Sequence, residues 1–432
     1  MAEGRPRGLL PGPGHAGMSG PLGVLLSPQT GLLLMLAVLP LDAAGRIITE
    51  PVTVTWFHVA LLFTLVTWAF AQLTGRFRLR HRLSPVTVGV ALLIVSALWS
   101  LPGSLASGVT AISAVRLAFL GLFYAAFVAL TPDGRTARRL VTVLVVTAVL
   151  SALLAIVQYA VPGLGIGTVH DQVQIGARIF NRPGAFFDDP NYLGTFLSVA
   201  IVAALGMAVY ARRLRAAAPW LATAAVCAAG LQLTFSRSGW VGAILGVVVL
   251  LLTVAFRSRR ATLVALVALV ALTAVLVMSG TLLRFQSMTD TGNDPSASTR
   301  YLQIGSTLDM IRDNWLFGTG LGAFDRAYPM YRRSGSVDTI TKPHELPLAL
   351  WAEMGLPALI AELTIVSGLA WTLWRRRKQR WNQYLAIGVA AFLAVLAQSF
   401  FQYYLYFEYL WFGLALAVAA ARFEEPSAED AT

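Results

Sequence analysis

The sequence predicts an all-α, polytopic membrane protein with about twelve transmembrane helices and a partly helical extracytoplasmic loop subdomain before the tenth span. Three observations predict it. Of the 432 residues, 57% are hydrophobic and 12% are charged, against about 45–50% and ~25% in soluble domains; too little polar surface is left to cover a globule of this size. The apolar residues fall in long continuous runs of roughly 17–25, the length that crosses a bilayer as a helix. They do not alternate in the ~10-residue segments of an outer-membrane barrel. The basic residues, finally, cluster in every second gap between the runs, as they do in cytoplasmic loops. A water-soluble enzyme and a disordered chain are both excluded.

Residues 1–21 are rich in Gly and Pro, carry Arg5 and Arg7, and read as a disordered cytoplasmic tail rather than a cleavable signal. The transmembrane domain is expected over 22–421. Its candidate spans lie near 22–42, 52–74, 85–101, 109–130, 139–161, 191–210, 219–235, 238–256, 262–283, 348–373, 382–402 and 405–421. Ser27, Pro28 and Gln29 interrupt the first. Only Ser236 and Arg237 separate the seventh from the eighth, which implies a tight helical hairpin.

Orientation follows from the basic clusters. They are Arg76 to Arg82, Arg135 to Arg139, Arg212 to Arg215, Arg257 to Arg260 and Arg375 to Arg380, and each follows an even-numbered span. Both termini are then cytoplasmic, with 422–432 as a second tail. The net charge of +12, from 33 basic and 21 acidic residues, is a topology signal, and nucleic acid is not an expected partner. The single cysteine, Cys227, sits in an apolar run, so no disulfide framework exists.

The opposite side carries loops at 43–51, 102–108, 162–190, 236–237, 284–347 and near 403. Two are long, and long ordered loops in compact proteins tend to be functional, so the chemistry is expected outside the cytoplasm. Tyr301, Ile304, Leu308 and Ile311 recur at helical spacing, which predicts an amphipathic helix over 299–313 with Ser296 or Ser298 as its cap. It is expected to lie on the membrane surface or over the spans.

Five strings on that side could carry chemistry. Arg182 to Tyr192 enters a helix at Asp189-Pro190, a capping pattern that leaves Arg182 unexplained. Thr234-Phe235-Ser236-Arg237 puts an arginine where topology does not require one. A snorkelling side chain or an anion ligand both fit, and the guanidinium fork suits phosphate. Arg300 stands near the start of the amphipathic helix, where anions are favoured; a solvated surface charge is the alternative. Gly318 to Phe324 lacks a preceding strand and reads as a tight, Phe-anchored turn rather than a dinucleotide loop. His344-Glu345, just before the tenth span, offers a candidate base. No partner stands at zinc spacing, so no metal is expected. Arg116, Glu353 and Glu362 are intramembrane charges, functional by default. Arg116 needs a partner, for which Asp42 and Glu362 are candidates.

In order and sidedness these strings resemble the O-antigen ligase and polymerase family of bacterial surface-glycan assembly. The matching positions are Gly184 to Asn191, Thr234 to Arg237 with Trp240, Arg300 with Gly318 to Phe324, and His344, Leu348, Glu353 and Gly355. Glu345 stands where the family usually has Asn, which leaves open whether His344 acts alone or as a His344–Glu345 pair. The resemblance implies a metal- and cofactor-independent transfer of a glycan from undecaprenyl pyrophosphate to an acceptor hydroxyl on a lipid, glycan or protein. That transfer would occur at the outer face of the bacterial cytoplasmic membrane. Arg182, Arg237 and Arg300 would bind the pyrophosphate, and Asn191, Ser236, Gly320 and Glu353 would shape the site. A repeat-unit polymerase of the same family is the alternative, and a transporter, which needs polar or broken helices at the midplane, a more distant one.

Overall fold

A computed structural model describes residues 26–41, 44, 46, 53–74, 83–161, 163–175, 178–254, 259–278, 295–335, 345–377, 379 and 381–423. The tail 1–21, Asp42, the Arg76 to Arg82 cluster, residues 284–294, His344 and the chain after Phe423 lie outside the described residues.

The helices are α1 (Pro28–Val38), α2 (Trp56–Leu73), α3 (Pro85–Trp99), α4 (Ser107–Leu130) and α5 (Gly134–Ala160). Strands β1 (Thr168–Ile175) and β2 (Arg178–Ala185) follow, then α6 (Pro190–Val209), α7 (Leu214–Thr234), α8 (Arg237–Val254) and α9 (Arg259–Met278). The long loop contributes α10 (Pro295–Asp313) and α11 (Phe324–Tyr331). The chain ends through α12 (Leu346–Met354), α13 (Leu356–Arg375), α14 (Gln383–Gln398) and α15 (Glu408–Ala420).

Each apolar run is helical, and all but the tenth coincide with one helix. Among the described residues, eight helices are long and apolar enough to cross a membrane: α2, α4 to α9 and α13; α1, α3, α14 and α15 are shorter. Capping explains three of the short ones. Ser27, Ser84 and Asn382 each accept a hydrogen bond from a first-turn amide. Ser27-Pro28, which looked like an interruption of the first run, is the N-terminus of α1.

Helix α6 is apolar all round and buried along nearly its whole length, with α5, α7, α8 and α14 packed about it. Helices α14 and α15 approach closely because Gly388 and Gly413 face the partner backbone; a Cβ on either would fall within 3 Å of it. The long predicted tenth run is two helices. Gly355, at φ +70°, breaks it, and a Cβ there would meet the Leu316 carbonyl. The spanning helix α13 therefore starts at Leu356.

Two further expectations change. Residues 162–190 hold an antiparallel hairpin, β1–β2, and not only loop. The period of two was in the sequence, since Val169, Val173 and Ile175 alternate with His170, Gln172 and Gln174, but it is short beside the spans. The amphipathic helix α10 begins at Pro295, so Ser296 and Ser298 lie inside its first turn instead of capping it. Its buried side is Gln303, Ser306, Thr307, Met310 and Ile311, whereas Tyr301 and Leu308 are exposed. Met310 and Ile311 pack with Phe324, Tyr328 and Ala352 into a small separate core. The apolar stripe thus divides between this core and the outside.

The described parts of the loops expected on the non-cytoplasmic side gather at one end of the bundle. Arg46 pairs with Asp188. The Leu105 amide donates to Thr319 O at 3.0 Å, and Arg182 reaches Thr234. Tyr403 binds Glu353.

Candidate active site

Two constructions and a cavity make up this end. The first joins β2, the start of α6 and the α7–α8 turn. Asp189 caps α6 by accepting from the Asn191 amide at 2.7 Å, with Pro190 at the first helical position. Asn191 thereby sits beside Arg182. The Arg182 guanidinium is buried; its Nη2 donates to Asn191 Oδ1 at 2.9 Å and its Nε donates to the Thr234 carbonyl at 2.8 Å. Thr234 ends α7. Phe235 then turns the chain with φ +51°, and Ser236 Oγ accepts from the Gly239 amide at 3.2 Å to cap α8. Gly194 lets this turn sit against α6, since a Cβ there would lie 2.7 Å from Ser236 Cβ. Arg237, half-buried, is the first residue of α8. The structure therefore unites Arg182, Asn191, Ser236 and Arg237.

The second is the glycine-rich loop. Gly318, Gly320 and Gly322 have φ of +71°, +99° and +80°, a conformation open to glycine at no steric cost. The loop is stitched to α12. The Thr319 amide donates to Ala352 O at 2.9 Å and the Gly320 amide to Glu353 O at 2.8 Å. Glu353 Oε1 accepts from the Gly322 and Phe324 amides at 3.0 and 3.3 Å, and Oε2 accepts from the Tyr403 hydroxyl at 2.9 Å. Glu353 is on α12, ahead of the spanning helix. Burial pushes its carboxyl up to about 7, against the pull of the bonds from Tyr403, Phe324 and Gly322. It clamps a loop.

Glu345 precedes α12, is buried, and its carbonyl accepts from the Ala349 amide at 2.9 Å. The next amide, of Leu346, donates to Ser399 O at 2.9 Å. Arg300 is the sixth residue of α10, and its side chain lies outside the described residues, as does all of His344.

Between the two constructions lies a polar cavity of 530 Å³, walled in part by Arg46, His58, Arg116, Asp188, Glu353 and Tyr403. Volume and lining fall within the usual range of ligand sites. His58 Nδ1 accepts from the Thr55 amide at 3.2 Å, which leaves Nε2 as its N–H. Arg116 is the tenth residue of α4, roughly 13 Å along that helix. It is half-buried and makes no hydrogen bond or ion pair among the described residues. Glu362 is not its partner, and Asp42 lies outside the described residues. An arginine at such depth costs about 2.5–3.5 kcal/mol on insertion scales. Arg46, His58 and Tyr403 were not singled out from the sequence. Arg116 and Glu353, both marked in the sequence as intramembrane charges, were the signals that pointed to this cavity.

Arg46, Arg116 and the His58 N–H share this concave space with Asp188, Asp325, Glu353 and Glu408, a mixed lining that suits a polar ligand whose anionic part meets Arg116. No curated protein matched the chain. The family model described as O-antigen ligase matches residues 222–363, from within α7 to within α13. The match supports the resemblance drawn from the motifs: in this integral membrane protein the matched stretch, about a third of the chain, is similar to the O-antigen ligase family and includes Ser236, Arg237, Arg300, Gly320, His344, Glu345 and Glu353.

Proposed function

We propose that this protein transfers a glycan from undecaprenyl pyrophosphate to an acceptor hydroxyl at the outer face of a bacterial cytoplasmic membrane. The observation that carries the reading is a cavity lined by residues of four of the loops expected on that face, through Arg46, Asp188, Gly322 and Tyr403, in a bundle whose residues 222–363 match the O-antigen ligase family model. In this reaction the acceptor oxygen bonds to the anomeric carbon as the bond from that carbon to phosphate oxygen breaks. The acceptor proton passes to His344, alone or paired with Glu345, and undecaprenyl pyrophosphate leaves. Charge develops on the leaving phosphate, where preorganised cations stabilise it most. Arg237 and Arg300 have that role. Arg182, engaged with Thr234 and Asn191, holds the turn from which Arg237 starts.

The test is transfer in vitro. Purified protein is incubated with undecaprenyl-pyrophosphate glycan and candidate acceptors, and products are read by mass spectrometry. Arg237→Ala, Arg300→Ala and His344→Ala each lose transfer while still folding. Full transfer by all three would refute the mechanism. In a deletion strain, long lipid-linked chains beside a bare acceptor identify a lost ligase, and single repeat units on the acceptor identify a lost polymerase.

A further inference from the structure

A second, apolar cavity adjoins the polar one. It has a volume of 470 Å³, runs between α2 and α4, and is walled mainly by Val54, Val59, Leu62, Ile112, Val115 and Phe119. Val59, Leu62 and Val115 are exposed and form a hydrocarbon-like outer surface. The two cavities share Thr53, His58, Arg116 and Phe119. Arg116 therefore stands at the junction of a greasy groove and a polar chamber.

Asp188, Asp325, Glu353 and Glu408 line the same polar cavity, and none of them forms an ion pair with Arg116. Asp188 pairs with Arg46. Glu353 is held by two backbone amides and Tyr403. Arg116 is left with its guanidinium and no hydrogen bond or ion pair among the described residues. A ligand that satisfies this place has a long apolar tail and an anionic head at one end. Arginine recognises phosphate by its fork and keeps its charge when partly desolvated.

We propose that Arg116 binds the phosphate of a polyprenyl pyrophosphate whose hydrocarbon chain lies in the α2–α4 groove, with its head group in the polar cavity. The proposal rests on the transfer reading for the identity of the lipid, and it places the donor's lipid anchor on the α2–α4 side of the bundle.

The test is equilibrium binding to the full chain in detergent micelles, read by native mass spectrometry. The probes are glycan-free undecaprenyl pyrophosphate, neutral undecaprenol and inorganic pyrophosphate. Wild-type protein binds the first, and at equal concentration neither of the others displaces it. Arg116→Gln weakens undecaprenyl pyrophosphate binding at least tenfold, whereas Arg116→Lys, which keeps the charge, loses less. Val115→Trp fills the groove without touching the charge and also weakens binding at least tenfold. Binding by Arg116→Gln within twofold of wild type would overturn the proposal, as would equal competition by inorganic pyrophosphate. Because the probe carries no glycan, Arg116-dependent binding without any transfer would sink the transfer reading and leave this site standing.

Discussion

Glu353→Ala removes the acceptor for three groups at once: the Gly322 and Phe324 amides and the Tyr403 hydroxyl, at 3.0, 3.3 and 2.9 Å. The carboxylate is 1% exposed, so water does not replace it without local opening. A stranded buried polar group costs about 1–3 kcal/mol, and three give roughly 3–9 kcal/mol. The glycine loop can move toward water, which puts the loss at the lower end, about 3–4 kcal/mol. Glu353→Gln keeps one oxygen for both amides and turns its NH2 toward Tyr403, whose hydroxyl rotates to accept; its loss is about 1 kcal/mol. The ordering at pH 5, Ala well below Gln and Gln just below wild type, is read from SDS-driven unfolding of the purified protein followed by tryptophan fluorescence. Hydrogen exchange at 318–324 locates the effect. If Ala and Gln unfold together, or if the Gly322 and Phe324 amides stay as protected in Glu353→Ala as in wild type, the clamp is not what holds the loop.

Three further outcomes follow from the same geometry. Because burial raises the Glu353 carboxyl to about 7 from an ordinary value near 4.5, the folded state holds a proton that the unfolded state has lost across that window. This contribution is full below pH ~4.5 and is lost as pH rises through ~7, so wild type declines relative to Glu353→Gln between pH 5 and pH 8 in parallel unfolding curves; a constant difference refutes the shift. Arg182→Lys cannot reach both the Thr234 carbonyl and Asn191 Oδ1, and exchange of amides 235–240 rises at least tenfold; unchanged exchange would remove Arg182 from the turn. Gly320→Ala combines φ +99° with a Cβ within 3 Å of Ser104 and Thr110. It destabilises by about 2 kcal/mol or more, measured by the same unfolding assay, and wild-type stability would contradict the loop's close packing on the start of α4.

Helices were legible because lipid and core both demand long apolar runs with internal backbone pairing. Pairing of elements was not. Nothing local in Arg182 announces Thr234, 52 residues away, as its acceptor, and nothing near Glu353 announces the loop it binds. The hairpin 168–185 was hidden because its alternation is brief and polar beside runs of 17 residues or more. Arg116 was visible as an anomaly, since a mid-helix arginine breaks the apolar pattern. Its surroundings were not, because Arg46, His58 and Tyr403 come from three separated stretches that only the fold assembles. Gly355 shows the same limit. Its break in the tenth run depends on the approach of Leu316, a neighbour that the sequence does not name.

The measurement that tests the central claim most directly is a single-turnover transfer assay with purified protein, undecaprenyl-pyrophosphate glycan and an acceptor bearing a free hydroxyl. The account predicts glycan on the acceptor and one free undecaprenyl pyrophosphate per glycan moved, with both products lost together in Arg237→Ala. Glycan-acceptor product formed at the wild-type rate by Arg237→Ala, or no transfer to any hydroxyl-bearing acceptor by wild type, would contradict it.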